Sequence, residues 1–565
     1  MIKMINKKLV EPFCIGTFLC FMQLPVTVNA AEFAVASAHP LATKAGIEIL
    51  TNGGNAFDAA IAVTSTLAVV EPYSSGIGGG GFYLLHQQKP NRQVMLDARE
   101  RAPFKATRDF YLDTNGEVDH DRSMNGATSA GIPGIPAALE HLQKNYGALS
   151  LAESLSSAIG YAQNGFEVDE KYRRFAKFRL PVLRRFESSR QTLLSDGEIP
   201  ELNSVLKQPD LAHTLRTLAV EGADGFYTGE VAQKLVDSVQ ENGGVWSLQD
   251  LNQYQVVERD PVRFRFGSAD FVTASLPSSG GVVLASIFNL LKSMGYQQAG
   301  DTQRIHILVE AMRRAYRDRA TYLGDLDYVD IPLQRLTSEA YAHELAKNIS
   351  MQHASRSADI GTIGEEAGGN DTTHFSILDQ QGNMVAATLS VNYPFGSGLV
   401  AKGTGVLLND EMDDFSAKPG VPNAYGLLGS TANAIQPGKR MLSSMTPAFV
   451  HANDKSLISG TPGGSRIITM QLLGMLEFLR GGNASDIVSL PRFHHQYFPD
   501  QIYFEENAFD ETTQKSLQGL GHELKQMSYR YGNMQTIIID HKTGELDAAS
   551  DPRGIGSAIV SSGGG

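Results

Sequence analysis

Cysteine is almost absent from this sequence of 565 residues. Its two cysteines, Cys14 and Cys20, both lie within the first thirty residues. If that segment is removed, the rest of the chain has no thiol and can form no disulfide. A fold held together by disulfides is therefore excluded for the mature chain, which remains compatible with an oxidising compartment.

The sequence also has fewer positively than negatively charged residues. The 48 lysines and arginines are outnumbered by 61 aspartates and glutamates, which gives a net charge of −13. Such a surface repels the phosphates of nucleic acids and anionic lipid, and no basic run compensates for it. After the first thirty residues no apolar run approaches the length of a membrane span. We therefore expect that the protein does not bind nucleic acid and has no stable membrane span.

Several motifs of metal and cofactor enzymes are missing. The chain contains no HExxH, P-loop or GxSxG sequence. The pair His494-His495 has no cysteine or carboxylate at metal-ligand spacing, and His374 falls in a predicted strand, where packing is the ordinary role. The sequence therefore predicts no metal ion and no organic cofactor.

The first thirty residues differ from the rest of the chain. Three lysines precede an apolar stretch at residues 13–22, and the small residues Val28 and Ala30 fit a cleavage site. This pattern predicts a secretory signal peptide over residues 1–30 and a periplasmic or secreted protein. The apolar stretch is short for a retained anchor, and the residues before Cys20 are a poor lipoprotein signal, so these two remain as alternatives.

A polar, glycine-rich segment, residues 351–371, divides the remaining chain, and we expect it to be an exposed and mobile linker. Residues 130–345 before it have a mainly helical pattern, with breaks at prolines such as Pro181, and include a helix with a polar face at residues 304–323. From residue 372 onward, strands alternate with Asx and glycine turns, and one helix interrupts them. This alternation favours stacked layers of sheet and helix, an α/β class.

Two threonines, Thr372 and Thr373, follow this linker at the start of a predicted strand. The structural explanation is a loop that simply enters a strand. The chemical explanation is that a threonine hydroxyl gains its own base when it becomes a chain terminus, because a free α-amino group has a pKa of about 7.7–8.0. Attack of the Thr372 hydroxyl on the Asp371 carbonyl would cleave the bond between them and create that terminus.

The hairpin that follows brings further groups beside Thr372. A turn over residues 379–383 would set Thr372 opposite Ser390 on the same face of the sheet, with Asn392 one step along. A hydroxyl and an amide would then flank the nucleophile. A shift of one residue in the register would send both to the other face.

These residues belong to a longer series of motifs that resembles a known family. The small subunit of the γ-glutamyltranspeptidases is similar to the later motifs, in this order: TTHFS, SVN, NDEMDDFSAKPGVPNAYGL, RMLSSMTP, GTPGGSRIIT, PRFHHQ and ASDPR. The large subunit is similar to the earlier motifs GGNAFDAAIA, GGGGF, LDARERAP, GIPG, LPSSGG and YLGD. The resemblance runs from about residue 33 to residue 555, whereas a single motif such as GGGGF would fit any tight turn.

The resemblance implies the four-layer αββα fold of the N-terminal nucleophile hydrolases and an inactive precursor. Self-cleavage before Thr372 would give a large subunit, residues 31–371, and a catalytic small subunit, residues 372–565, intertwined in one globular unit. The Thr372 hydroxyl would take the γ-glutamyl group of glutathione or a related compound as an ester. Water, an amino acid or a peptide would then receive it, which is the activity of a γ-glutamyltransferase and glutathione hydrolase.

The resemblance also assigns a site for the glutamyl group. Its α-carboxylate would meet Arg99, whose planar guanidinium suits bidentate binding, together with Ser443 and Ser444. Taken alone, Arg99 would be interpreted as a surface ion pair and the serines as turn residues. Three positions would hold the α-ammonium, although their acidic run alone is typical of a solvated surface: Asn392, Glu411 and Asp414.

The remaining assignments concern the reaction and its selectivity. Gly463 and Gly464, before a predicted helix, match the oxyanion site, where backbone N–H groups approach the intermediate; a plain glycine turn is the structural alternative. Ser390 replaces the family's threonine but keeps a hydroxyl. Glu411 stands where bacterial relatives have glutamine, which bears on selectivity. Tyr425 matches the aromatic residue of a lid loop, which favours small donors over long polymers.

Two other functions fit the same residues. A related acylase of the same fold would act on glutaryl or cephalosporin amides, and rates on γ-glutamyl and glutaryl amides would separate the two, because only the former needs the ammonium-binding set. An uncleaved, non-catalytic binding protein is the third candidate. The presence of Thr372, Asn392, Arg99 and the glycine pair argues against it, since a decayed site would have lost at least one of them.

Overall fold

Two antiparallel sheets lie face to face at the centre of the molecule. The computed structural model describes residues 32–360 and 372–562. The predicted signal peptide, the predicted cleavage residue Asp371 and the rest of segment 361–371 lie outside the described residues. Within the described ranges, no helix is long and apolar enough to cross a membrane.

Helices and strands alternate along the chain. The strands are β1 (Glu32–Ser37), β2 (Gly80–Gln87), β3 (Arg92–Ala98), β4 (Phe166–Glu167), β5 (Val205–Leu206), β6 (Val257–Arg259), β7 (Val262–Phe266), β8 (Ala269–Thr273), β9 (Thr373–Leu378), β10 (Met384–Ser390), β11 (Val400–Ala401), β12 (Val406–Leu407), β13 (Ala448–Ala452), β14 (Lys455–Gly460), β15 (Phe493–His494), β16 (Ile502–Phe504), β17 (Leu524–Gln526), β18 (Gln535–Asp540), β19 (Leu546–Ser550) and β20 (Ser557–Ser562). The helices are α1 (Pro40–Thr51), α2 (Ala56–Val70), α3 (His120–Met124), α4 (Ile135–Tyr146), α5 (Leu151–Asn164), α6 (Glu170–Leu183), α7 (Glu187–Leu193), α8 (Pro209–Glu221), α9 (Asp224–Tyr227), α10 (Gly229–Glu241), α11 (Leu248–Asn252), α12 (Gly280–Ser293), α13 (Asp301–Tyr322), α14 (Leu333–Leu336), α15 (Glu339–Ala346), α16 (Ile467–Arg480), α17 (Ala484–Ser489) and α18 (Glu511–Gly519).

The first sheet has the strand order β20-β1-β9-β10-β2-β3-β6. Its strands β9 and β10 are buried along their whole length, because helices cover one face and the second sheet covers the other. Four of its strands precede residue 360 and three follow residue 372. The two parts of the chain are therefore interleaved within one sheet.

The second sheet, in the order β19-β18-β14-β13-β8-β7, completes a layered core. Side chains along β2 show how the layers form, since Phe82 and Leu84 pack between the sheets while Tyr83 and Leu85 pack against helices. This alternation is the period of two that a strand imposes. Helices α1, α2 and α5 cover the first sheet, and α12, α13 and α16 cover the second. The predicted αββα arrangement is confirmed.

The turn between β9 and β10 positions the hairpin that carries Thr372. Asp379 Oδ1 accepts the backbone N–H groups of Gln381 and Asn383 at 2.8 and 2.9 Å, as an aspartate in an Asx turn does. Leu378 then pairs with Met384. The predicted turn and register are therefore confirmed.

Asp379 also fixes the hairpin against helix α2. Its Oδ2 accepts the backbone N–H of Ala56, the first residue of that helix, at 2.9 Å. Asn55 and Asp58 cap the same end reciprocally, a capping box. Because α2 is buried on every side, one aspartate joins the turn to a rigid element of the core.

Three details differ from the sequence-based expectations. Strands β6, β7 and β8 lie inside the region that the pattern predicts to be mainly helical. Strands β6 and β8 pair with strands that are distant in sequence, and β7 joins the sheet only through its hairpin with β8. Helix α6 continues through Pro181 to Leu183, where few helical hydrogen bonds remain to be lost. Ser357, in the segment expected to be exposed, is fully buried and accepts a hydrogen bond from Arg313 Nη1 at 2.9 Å.

The helix with the polar face is also buried rather than exposed. Glu310, Arg313 and Arg314 of α13 are all buried, and both arginines pair with Glu310. Ion pairs within the helix thus replace the water that would otherwise solvate this polar face.

Replacing Asp379 by alanine is expected to destabilise the fold. Four donors would lose their acceptor, including the first N–H of α2. A buried polar group left without a partner costs about 1–3 kcal/mol, so urea unfolding should show a loss of at least about 2 kcal/mol. Asp113→Ala is the control, since Asp113 accepts two backbone N–H groups in an exposed turn. Equal losses for the two variants would contradict the role given to Asp379.

Candidate active site

The Thr372 hydroxyl lies at the head of β9, in the middle of the first sheet. Thr372 precedes this strand, and Ser390 ends its neighbour β10. The register sets the two side chains together, with 3.3 Å between Thr372 Oγ1 and Ser390 Oγ. Both residues are buried, and the backbone N–H of Asn392 donates to Ser390 Oγ at 2.7 Å. The hairpin therefore brings together the three residues that its sequence predicts to be neighbours.

Arg99 follows the last residue of β3 and is fully buried. Its Nη1 donates to Glu411 Oε2 at 2.5 Å, its Nη2 donates to Asp414 Oδ2, and its Nε donates to the Met441 carbonyl at 3.2 Å. The two acidic residues are the ends of a short 3₁₀ helix, Glu411–Asp414, whose three-residue repeat turns both carboxylates to one side. The acidic run is thus a buried ion cluster and not a solvated surface.

Carboxyl groups outnumber cations in this cluster. Burial raises the pKa of Glu411 to about 7, with a further contribution from Asp414, although Arg99 opposes the shift. Glu100 lies 3.6 Å from Arg99 Nη1, and burial raises the pKa of its carboxyl well above the ordinary range. Neither Glu100 oxygen has a hydrogen-bond partner among the described residues. Glu100 is a site residue that the sequence analysis misses, although its place directly after Arg99 is a usable signal.

Ser443 and Ser444 approach the cluster from a separate segment. The Ser443 N–H donates to the Pro277 carbonyl at 2.8 Å. Each serine hydroxyl accepts a hydrogen bond from a fixed donor, Ser443 Oγ from the Met445 N–H and Ser444 Oγ from Arg319 Nη2, both at 3.1 Å. Arg319 is a second neighbour of the site that the sequence analysis does not select.

Gly463 and Gly464 form a turn that other residues would not tolerate. Their φ angles are +137° and +55°, in the region that favours glycine. A Cβ atom on Gly464 would lie 2.4 Å from the ring of Tyr425. A 3₁₀ turn, Gly464–Arg466, then leads into α16. The turn therefore lies at the start of a helical segment, where backbone N–H groups favour negative charge.

Tyr425 covers the inner side of the site, next to the hairpin. It belongs to the long connection between the 3₁₀ helix at residue 411 and β13, and its ring is buried. Its hydroxyl donates to the Asn392 carbonyl at 2.8 Å, and its own carbonyl accepts a hydrogen bond from Gln496 at 3.3 Å. The predicted lid residue thus lies in a closed position over the hairpin.

Two cavities meet at Thr372. The inner cavity, about 20 Å³, has room for little more than one water molecule. It is lined by most of the predicted site residues: Ser390, Asn392, Glu411, Asp414, Tyr425, Ser443, Ser444 and Gly464. The outer cavity, about 320 Å³, includes Gly463 and four cations, Lys171, Arg174, Arg530 and Arg553. Thr372 is shared by both, and Arg99 lies behind the two carboxylates of the inner one.

Comparison with known proteins identifies the family. The family model for gamma-glutamyltranspeptidase matches residues 42–561. The chain belongs to the γ-glutamyltranspeptidase family. It is 39% identical over 535 residues to the glutathione hydrolase proenzyme of Escherichia coli (strain K12), covering 94% of this chain and 91% of that protein. The glutathione hydrolase proenzyme of Pseudomonas aeruginosa is 41% identical over 538 residues, with 93% and 94% covered. The crystal structure of cephalosporin acylase from Bacillus halodurans has a TM-score of 0.82 at 27% identity, covering 94% of this chain and 96% of that one.

Ser390 and Glu411 both line the inner cavity. The resemblance leads us to expect threonine in place of Ser390, whereas Glu411 stands where bacterial relatives have glutamine and other members have glutamate. A side-chain hydrogen bond with Ser390 lowers the pKa of Glu411 and opposes part of the effect of burial. The hydroxyl beside Thr372 is therefore also a neighbour of the carboxylate that Arg99 holds.

The histidines of this protein have structural contacts outside the cluster around Arg99. His374 bonds to Thr388 Oγ1 at 2.8 Å, and burial lowers its pKa to about 3, which fits the predicted packing role. Elsewhere among the described residues, one buried group has metal-ligating atoms close enough to hold an ion: His306, Glu310 and His522. The two imidazoles in it bond to each other at 2.8 Å and the carboxylate pairs with arginines. The prediction that no metal is needed stays a prediction.

Gly464→Ala is expected to open the lid. The new Cβ would meet the Tyr425 ring, and alanine at this φ adds about 1–2 kcal/mol of backbone strain. Each 1.4 kcal/mol changes a population by about tenfold, so limited proteolysis of the lid should accelerate by about tenfold or more. Gly481→Ala is the control, since Gly481 also has a positive φ but open space around it. Equal proteolysis of both variants would contradict the contact.

Proposed function

We propose that this protein is a γ-glutamyltransferase and glutathione hydrolase, made as a precursor that cleaves itself before Thr372. The observation that carries the proposal is the Thr372 hydroxyl, which lies against Ser390 and beside a buried cluster with charges of both signs. The family supports the proposal, since relatives at 39% and 41% identity are glutathione hydrolase proenzymes.

Maturation is the first step. Thr372 Oγ1 attacks the carbonyl carbon of Asp371, the peptide C–N bond breaks, and the released α-amino group takes the proton of the hydroxyl. Water hydrolyses the resulting ester, which leaves a carboxylate on Asp371 and restores the hydroxyl of Thr372. The products are a large subunit, residues 31–371, and a small subunit, residues 372–565. Strands from both parts are interleaved in the first sheet, which keeps the subunits together after cleavage.

A γ-glutamyl donor carries a carboxylate and an ammonium at the same carbon, and the inner site complements both. The carboxylate binds Arg99, Ser443 and Ser444. Without a donor, the charge of Arg99 is shared between two carboxylates, so donor binding exchanges internal ion pairs for pairs with the ligand. Every buried charge stays paired, as a low-dielectric site requires. The ammonium binds the three predicted ammonium-binding residues: Asn392, Glu411 and Asp414.

The chemistry uses the free terminus. The α-amino group of Thr372 takes the proton of the hydroxyl as Oγ1 attacks the γ-carbonyl carbon. The Ser390 hydroxyl, 3.3 Å away, orients Oγ1, and the N–H groups of Gly463 and Gly464 bind the oxyanion. The amine leaves with a proton, and the γ-glutamyl group remains as an ester on Thr372. Water, an amino acid or a peptide then attacks the ester from the outer cavity.

Donor entry requires movement of the lid. The inner cavity of about 20 Å³ is far smaller than a glutamyl group, and Tyr425 covers it. Opening of the lid admits the donor, and closing it excludes bulk water during acylation. A lid of this kind favours small donors such as glutathione over long polymers.

The N-terminal segment supports a location for this activity. Its lysines, apolar stretch and small residues are those of a signal peptide that is removed near Ala30. The enzyme would then act in the periplasm or outside the cell, on small γ-glutamyl compounds.

An acylase acting on glutaryl or cephalosporin amides is the second candidate. The observation that favours it is the similarity to the crystal structure of a cephalosporin acylase, at a TM-score of 0.82. A glutaryl group has the carboxylate of the γ-glutamyl group but no ammonium. Faster turnover of glutaryl-4-nitroanilide than of γ-glutamyl-4-nitroanilide would select the acylase.

Thr372→Ala is expected to stay a single chain without γ-glutamyl hydrolysis, because both cleavage and acylation need the hydroxyl. Thr372→Ser keeps the hydroxyl and should give two chains with measurable activity. Denaturing gels and release of 4-nitroaniline from γ-glutamyl-4-nitroanilide measure both properties. A cleaved alanine variant would contradict self-cleavage, and an uncleaved, inactive wild type would favour the binding protein.

The affinity for L-glutamate, a ligand that does not react, is expected to fall as the pH falls through about 7, the pKa of Glu411. The raised pKa means that this carboxyl is protonated below that pH and loses the charge that attracts the ammonium. The dissociation constant should rise by about tenfold between about pH 8 and pH 6, the ratio of the ionised fractions. Calorimetry on Glu411→Gln should give a flat profile. The same slope in this variant would assign the titration to another group.

A further inference from the structure

Arg319 is a buried arginine without a carboxylate partner. It lies in α13, and no carboxylate oxygen among the described residues is within 4.0 Å of its guanidinium. Arg313 and Arg314 of the same helix both pair with Glu310, and Arg317 pairs with Asp318. A buried charge without a counter-charge is costly, so the position of Arg319 calls for an explanation other than stability.

Arg319 determines which way one serine hydroxyl can donate. Its Nη2 donates to Ser444 Oγ at 3.1 Å. A hydroxyl group has one proton, and the described residues include no acceptor for the proton of Ser444. Ser444 lines the inner cavity. One lone pair of its oxygen therefore accepts from Arg319, while its proton is available to an anion in that cavity.

The other hydrogen bond of Arg319 reaches the neighbouring serine through Ser279. Arg319 Nε donates to Ser279 Oγ at 2.9 Å, and Ser279 Oγ donates to the Ser443 carbonyl at 2.7 Å. The Ser279 N–H donates to the same carbonyl at 2.8 Å. One guanidinium thus fixes the side chain of Ser444 and the backbone of Ser443.

The charges of the site also indicate a role for Arg319 in binding a carboxylate. Arg99 is shared by Glu411 and Asp414, which leaves an excess of negative charge when both are ionised. An incoming carboxylate would be repelled by that excess. Arg319 contacts Ser444, which lines the same cavity as the two carboxylates, so it is a cation placed to offset that excess. A neutral pocket with separated charges suits a zwitterion.

We propose that Arg319 is a positioning residue for the α-carboxylate of the donor. It orients the Ser444 hydroxyl so that its proton is available to the carboxylate, and it fixes the Ser443 backbone through Ser279. Its charge offsets the second acidic residue of the cluster. This inference rests on the proposed γ-glutamyl specificity and adds to it a residue that recognises the ligand through two others.

The test compares two substrates that differ only in the carboxylate. 4-Aminobutyryl-4-nitroanilide has the ammonium and the scissile amide of γ-glutamyl-4-nitroanilide but no α-carboxylate. For Arg319→Gln, the KM of the γ-glutamyl substrate should rise by about tenfold or more, the scale of a lost hydrogen bond to a charged group, with kcat within about threefold. The kcat/KM of the 4-aminobutyryl substrate should change by less than about twofold.

Two further variants separate positioning from stability. Arg317→Gln is the matched control on the same helix, since Arg317 pairs with Asp318, and it should leave the ratio of the two substrates unchanged. Arg319→Lys keeps the charge but cannot reach both serines, so it should give an intermediate and still selective rise in KM. If Arg319→Gln does not fold, this lysine variant decides: a selective rise supports positioning, and no selective rise overturns it.

The outcomes distinguish this inference from the function on which it rests. A wild-type enzyme that does not hydrolyse the γ-glutamyl substrate overturns the proposed function and this inference with it. A wild type that does so, with Arg319 variants that lose both substrates equally, leaves the function standing and overturns the positioning role. A double-mutant cycle with Ser444→Ala adds a direct check, because the effect of Arg319→Gln should shrink in that background and independent effects would contradict it.

Discussion

A buried arginine shared by two carboxylates is the interaction on which the rest of the site depends. Arg99 leaves β3 in the part of the chain before residue 360, whereas Glu411 and Asp414 come after residue 372. Burying such charges costs several kcal/mol per ion, and apolar residues of similar size are often as stabilising. Stability alone does not explain this cluster. A ligand with one charge of each sign explains the cluster, because its charges can replace the internal ion pairs of Arg99 with the two carboxylates.

The fold places Thr372, the proposed nucleophile, beside that cluster by a short series of fixed contacts. Asp379 fixes the turn of the hairpin against α2, the turn fixes the register, and the register sets Thr372 against Ser390. Tyr425, the predicted lid residue, bonds to the same hairpin through Asn392. Because Thr372 lies between an inner, acidic cavity and an outer cavity with cations, the donor and the acceptor can approach it from opposite sides.

The sequence predicts those parts of the structure that depend on local patterns. The turn at residues 379–383, the hairpin register and the layered class all follow from spacing, turn residues and alternation, and the family motifs supply the αββα arrangement. Strands β6 and β8 are not predicted because they are short and pair with distant partners, and β7 is a short strand that joins the sheet only through β8. Arg319 is not predicted either, because its burial depends on distant parts of the chain. Its helix has the polar pattern of an exposed face, and only the tertiary structure buries it.

The most direct test of the account is the location of the covalent intermediate. The protein would be mixed with a γ-glutamyl donor, quenched in acid within the burst phase and digested, and the peptides would be sequenced by mass spectrometry. The account predicts a small-subunit peptide that begins with Thr372 and carries one γ-glutamyl group on its hydroxyl. Turnover without this ester, or with an ester on another residue, would contradict the assignment of Thr372 as the nucleophile.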